Sequence, residues 1–253
     1  MKKKIILSAI IAGTSLMSMS AHADTVLGGY IGAQAWNMKT EGGFAQNESL
    51  AGFSFEEEAN NSFYAALEHP IPLIPNIKVA RTTYDTSGTT ILDSTFTFGD
   101  EVFVVNSQLQ TTADLTTTDY ILYYEILDND LVSLDVGITG KQVDGEFLVV
   151  DEQTQQAGFE SFDVIVPMVY SRAAVGLPLT GLGLYVEGSF LSIDDSTVSD
   201  IQAAITYNFM ETLALDMTIQ AGYRVTTIEL EDIDDIYADL EFDGAYVGVE
   251  FDF

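Results

Sequence analysis

After Ala23 the sequence contains a single histidine, His69, so general-base or nucleophile–histidine chemistry would have to run through it. It opens His69-Pro70-Ile71-Pro72-Leu73-Ile74-Pro75-Asn76, where three prolines fix φ and withhold ladder donors. That is the composition of a turn, and no serine or aspartate stands beside it as a partner. An aspartic dyad would need two carboxylates singled out from 39 acids, and no pair stands apart. The sequence therefore predicts a protein that is not an enzyme.

Metal chemistry has one near-motif. Asp239-Leu240-Glu241-Phe242-Asp243-Gly244, followed by Glu250, approaches an EF-hand loop with Glu in its third position. The same residues also alternate as a strand, and a loop coiled around Ca²⁺ cannot at once be extended. Looser binding of Ca²⁺ or Mg²⁺ is expected instead at acidic turns, through Asp194, Asp195, Glu231, Asp232, Asp234 and Asp235. No other cofactor is implied.

The third possibility is a charged path. Asp119, Glu125, Asp135, Glu187, Asp200, Asp216, Glu250 and Asp252 each alternate with bulky apolar residues, as do the bases Lys141 and Arg224. If the apolar side of each strand faces lipid, these ten line an interior. Isolated carboxylates there would have to be hydrated, paired or protonated. Hydrated, they make a narrow cation-preferring pore; tied to Lys141 and Arg224, they make a plug.

The elements that would position them follow a period of two. In Ala245-Tyr246-Val247-Gly248-Val249-Glu250-Phe251-Asp252-Phe253 the odd positions are apolar, and a slip of one residue would exchange grease for carboxylates, so register is set. Tyr120, Leu122, Tyr124 and Ile126 repeat the pattern, as do Val132 to Ile138, Leu182 to Phe190, Ile201 to Phe209 and Leu213 to Val225. Earlier strands are expected over 25–36, 62–68 and 77–84, and a sixth is marked by Phe162, Val164, Val166, Met168 and Tyr170. Pro167 falls inside that sixth strand and predicts a bulge or kink.

Turns are expected at 69–76, 127–130, 177–181 and 210–212, with longer polar loops at 37–61, 85–113 and 142–160. Within the second loop, Thr95-Phe96-Thr97-Phe98 and Val102-Phe103-Val104-Val105 flank Gly99-Asp100-Glu101 as a hairpin expected to extend beyond the membrane. The fold class is all-β: one antiparallel up-and-down transmembrane barrel of about ten strands, with eight or twelve as alternatives.

Export is written at the other end. Lys2-Lys3-Lys4, an apolar run from Ile5 to Met17 and Ala21-His22-Ala23 form a basic, an apolar and a cleavage region, so residues 1–23 are expected to be a signal peptide and 24–253 the barrel. The remainder keeps six of nine Lys and Arg against all 39 acids, a formal net charge of −33, which repels nucleic acid. Cysteine is absent, so no disulfide framework supports the fold. No window after the leader holds 18 consecutive apolar residues, so helical spanning is excluded.

Three stretches, Ala66-Leu67-Glu68-His69-Pro70 with Pro72, Pro75 and Asn76, Leu122 to Asn129, and Gly176-Leu177-Pro178 with Thr180-Gly181-Leu182, resemble a family of small outer-membrane β-barrel proteins of Gram-negative bacteria. The resemblance covers the chain after the leader. It implies location and fold but no activity. It also implies that Val247, Val249, Phe251 and Phe253 are read by the barrel-assembly machinery. The expected surroundings are outer-membrane lipid and lipopolysaccharide, around a monomer with both termini periplasmic. The functional expectation is a structural barrel or narrow pore; the alternative is surface binding or adhesion through the acidic loops.

Overall fold

The computed structural model describes residues 27–46, 50–129, 131–212, 215–233 and 236–253. The expected leader, Asp234 and Asp235 lie outside the described residues, as does the side chain of Asp232. Ten long strands follow one another: β1 (Gly28–Ala45), β2 (Glu58–Glu68), β3 (Asn76–Thr83), β4 (Gln108–Asp128), β5 (Val132–Asp151), β6 (Ala157–Leu177), β7 (Leu182–Ile193), β8 (Ser196–Met210), β9 (Asp216–Ile233) and β10 (Ile236–Asp252). Each pairs antiparallel with the next. β10 returns to β1 with Tyr30 opposite Asp252 and Ala45 opposite Tyr237, and the barrel closes. Closure gives every wall strand a neighbour on both sides, the condition for a sheet to stand in hydrocarbon.

Near the termini the wall is apolar outside. Ile31, Phe63, Ile77, Leu122, Ile138, Val169, Leu184, Ile205, Ile219 and Val247 are exposed, while Gln34, Lys78, Asp119, Lys141, Glu187, Asp200, Gln220 and Arg224 are buried inside. Farther along the same strands the faces exchange character. Trp36, Met38 and Phe44 of β1, Leu109 and Leu115 of β4, Phe147 and Val149 of β5, and Leu240 and Phe242 of β10 point inward and pack together. Here acidic residues appear on the outward side, Glu41, Glu146, Asp239 and Glu241 among them. The barrel thus has a lipid-facing belt and, beyond it, an extension built like a soluble protein.

Between β3 and β4 the chain closes that extension. Thr86–Ile91 pairs with β4, and Phe96–Phe98 pairs with Glu101–Phe103 in a separate hairpin. Its turn residues Gly99 and Asp100 both have positive φ, 59° and 60°, the geometry of a tight two-residue hairpin turn. Phe96, Phe98 and Phe103 are buried, and Phe96 and Phe98 meet Phe44. The hairpin comes close enough because β6 offers Gly158, where a Cβ would stand 2.2 Å from the Phe98 carbonyl oxygen. The expected hairpin is present, but it folds inward as a lid of aromatic rings.

Three expectations are corrected. Residues 142–160 are mostly strand, since β5 and β6 stay paired from Val132↔Val175 out to Val150↔Ala157. Residues 37–61 are likewise shortened by β1 running to Ala45 and β2 starting at Glu58. The third concerns Pro167, which makes no bulge: β5 runs past it in unbroken register at Gly140. The pairing of β6 with β7 begins only at Val169↔Phe190, so Pro167 sits just where that side of the strand has no partner to receive an N–H. The bulges lie elsewhere, at Leu134/Asp135 and Asn208/Met210.

Candidate functional site

The belt encloses a polar lumen organised around two carboxylates. Asp200, on β8, is the first. Arg224 on the neighbouring β9 donates from Nε to Oδ1 at 2.9 Å and from Nη2 to Oδ2 at 2.6 Å, a two-pronged pair. Lys141 reaches from β5 across the lumen to Asp200 Oδ2 at 2.9 Å and to Asp119 of β4 at 2.8 Å. Thr226 donates to Asp200 Oδ1 at 3.2 Å, and Arg224 also donates to Thr82 and to the Tyr84 hydroxyl. Its guanidinium lies 5.3 Å from the Trp36 ring centre, at the floor of the aromatic extension.

The second is Glu187, on β7. Lys78 of β3 crosses to it at 2.5 Å, Tyr170 donates at 3.0 Å, and Gln202 at 3.3 Å. Arg172 of β6 lies 3.9 Å from Glu187 and 3.9 Å from Asp135. Amides and phenols then continue the network around the wall. Gln34 donates to Gln202 and Gln220, Gln220 donates to Tyr64, and Tyr64 donates to Glu250 at 2.7 Å. Tyr185 donates to Gln220 and shares a hydrogen bond with Tyr246.

Four acids, Asp119, Asp135, Glu187 and Asp200, thus face four bases, Lys78, Lys141, Arg172 and Arg224, and the middle of the lumen is electrically balanced. Each charge taken from water is compensated only if its partners remain, since removing one side of such a pair leaves the other buried and alone. Between the two centres, beside Lys78, Asp119 and Arg224, is a cavity of about 40 Å³. It has room for a few ordered waters.

The remaining acids named from sequence stand nearer the terminal mouth. Glu250 is held by Tyr64, Asp216 is half-buried, and Glu125 and Asp252 are exposed. Glu125 stands opposite the inward Asp135, at the mouth, and the bulge at Ile126 follows it, with Leu134 opposite Leu127. Asp194 and Asp195 form the two-residue link between β7 and β8, and Asp239, Glu241 and Asp243 lie along the extended β10. Among the described residues no group of three or more His, Cys, Asp or Glu side chains is placed to hold a metal ion. His69 is tied into its own turn: its Nδ1 accepts from Ile71 N at 3.3 Å while Nε2 lies 3.2 Å from the Pro75 oxygen. The ring's two nitrogens are thus both engaged within the turn.

Sequence reasoning missed half of the bases. Lys78 alternates with the outward Ile77 and Val79, so its position was readable. Arg172 was hidden because β6 is apolar on both sides: Met168 and Tyr170, which mark the strand in the sequence, are buried inside, and Ile165 and Val169 face out. Gln34, Gln202 and Gln220 each alternate with outward apolar residues, so their inward side is legible, but their joining with tyrosines into one network is not.

The architecture is that of an outer-membrane β-barrel. Among solved structures the chain is similar to the outer membrane protease OmpT from Escherichia coli, with a TM-score of 0.50 at 10% identity, covering 93% of this chain and 98% of that one. It also aligns with the transport unit of the autotransporter AIDA-I from Escherichia coli (TM-score 0.39, 10% identity, 92% of each chain). A third alignment is with the toluene transporter TodX from Pseudomonas putida (0.31, 6%, 89% of each). The first of these likenesses is one of fold alone, that of an outer-membrane β-barrel. No family model and no curated protein matches the chain.

Proposed function

We propose that the chain is exported through a cleaved leader, residues 1–23, and resides in the outer membrane as a sealed, structural barrel. The observation that carries this is the filling of the lumen: a balanced four-acid, four-base network at belt level, closed above by the Phe96, Phe98 and Phe103 hairpin. Both features oppose the passage of ions, so the cation-preferring pore becomes the lesser form of the same reading. The termini lie at the end where the lipid-facing belt stands, opposite the aromatic extension, and that end is the periplasmic one, with Val247, Val249, Phe251 and Phe253 presented there to the assembly machinery. Lipid and lipopolysaccharide surround a monomer. His69 belongs to the periplasmic end and supports no catalytic role at the outer surface. Purified protein in a planar bilayer is expected to give no conductance steps; regular cation-selective steps would overturn the sealed barrel.

One observation favours surface binding as a second reading. Ile91, Val102, Val104 and Val105 are exposed at the outer rim, where water would not select them. Replacing Val102 and Val104 with serine would abolish attachment to a surface partner while leaving the folded barrel intact.

A further inference from the structure

The periplasmic connections are of two kinds. The connection after β8 carries Glu211, and Asp128 closes β4 at the edge of the next, as the strongly acidic composition would lead one to expect. Those after β2 and β6, His69-Pro70-Ile71-Pro72-Leu73-Ile74-Pro75 and Pro178-Leu179-Thr180-Gly181, contain no acid at all. In each, a proline is followed by a leucine in the left-handed region, Leu73 at φ 71° and Leu179 at φ 67°. Proline followed by a residue of positive φ is the type II pattern, and that second place ordinarily goes to Gly or Asn. Leucine there is strained, and it is also in the open: Leu73 is 92% exposed, Leu179 fully so, and Ile71 and Ile74 more than half. The same unfavourable choice has been made twice.

The direction of the first turn identifies what covers it. The Leu73 carbonyl accepts a 3.0 Å hydrogen bond from the hydroxyl of Tyr124, and Tyr124 stands on the lipid-facing side of β4 with Leu122 and Ile126. The turn therefore leans outward over the apolar belt and away from the lumen, and its apolar surface continues the lipid-facing one. The two turns follow the β2 and β6 strands, four apart in a ring of ten, so they stand nearly across the barrel from each other.

We infer that these two Pro-Leu turns are membrane anchors, holding Leu73, with Ile71 and Ile74, and Leu179 among the upper acyl carbons of the periplasmic phospholipid leaflet. This rests on the outer-membrane reading above. Opposed anchors of this kind fix the depth of the barrel and resist its tilting, while the acidic turns between them stay in water. An apolar partner protein in the periplasm is the competing occupant, but it would not require the turn to lean over the belt.

The test places tryptophan at each turn, Leu73→Trp and Leu179→Trp, in phospholipid vesicles whose acyl chains are brominated near the headgroup. Trp36, shut inside the extension, supplies an unquenched background. Ile205→Trp on the outward face of β8 is the control for bilayer contact, and Asn129→Trp in the acidic turn is the control for water. The anchors predict that Leu73→Trp and Leu179→Trp each lose emission to an extent comparable with the β8 control, with Asn129→Trp unaffected. Emission from both turn variants as unquenched as from the acidic turn, with Ile205→Trp still quenched, would overturn the anchors and leave the barrel in its membrane. Failure of Ile205→Trp to quench would instead remove the membrane reading itself.

Discussion

Two interiors share one wall. At belt level the inside is ionic and the outside apolar; in the extension the inside is aromatic and the outside carries carboxylates. The backbone does not change register between them, so the same strand supplies both arrangements: on β10, Val247 faces lipid while Leu240 and Phe242 face the core. What differs is the medium outside. Lipid leaves charges no place but the lumen, where they must be paired. Water reverses the preference, and the extension is held by ordinary apolar burial, at about 25 cal/mol per Å². The level at which the two faces exchange character marks one boundary of the membrane.

The sharpest way to break this comparison is at Asp200. Asp200→Ala leaves Lys141 and Arg224 confronting one another without their shared anion, and is expected to cost about 3–5 kcal/mol in unfolding by urea. A change near zero would mean that water, and not pairing, balances the lumen. Next is Phe103→Ala, which empties a fully buried site in the lid and should cost about 3 kcal/mol. Its signature is regional: proteolysis in 96–103 with the belt strands still protected. Simultaneous loss of both levels would show that they are one cooperative unit.

The smallest effect is one of pH, and it has two signs. Asp151, at the outer end of β5, accepts from Gln153 N at 2.8 Å and Thr154 N at 2.9 Å, with the Thr154 amide the main cause of a carboxyl held below its usual range. Its contribution is present above the ordinary carboxylate pKa of about 4 and is lost as pH falls through the depressed value. Asp85 is raised, first by burial and then by the charge of Asp114, so ionising it weakens the fold, and acidification through its pKa relieves that penalty. Protection of the 151–156 amides from exchange, relative to the unfolded chain at the same pH, should therefore fall below about pH 4, while the neighbourhood of Asp85 tightens on acidification and Asp85→Asn is slightly stabilising at neutral pH.

The exchange of faces also explains what could be read in advance. Where a segment lies wholly within the belt, as from Tyr120 to Ile126 or Ile201 to Phe209, apolar and polar residues separate cleanly and the strand is plain. Residues 142–151 alternate just as strictly, with Val143, Phe147 and Val149 inward, but on the side opposite to Val136 and Ile138 of the same strand. Averaged along β5 the two patterns cancel, and the outer half resembles loop. The glycine and aspartate of the lid's turn announced a hairpin, because that signal is local. That the hairpin folds inward depended on Gly158, far away in sequence, and no local pattern carries it. Of the lumen bases, Arg172 was obscured by apolar residues on both faces of β6.

The seam between β1 and β10 joins the two ends of the sequence, with Gly29 and Phe253 exchanging backbone hydrogen bonds of 3.0 and 2.9 Å. Neither of these strands can find the other until nearly all the intervening chain has been made. Closure is thus the most distant contact the polypeptide has to form, and such contacts are slow because the loop entropy is lost before any bond rewards it. Until then two open edges, with bare amides and carbonyls, must be shielded by something other than the protein itself.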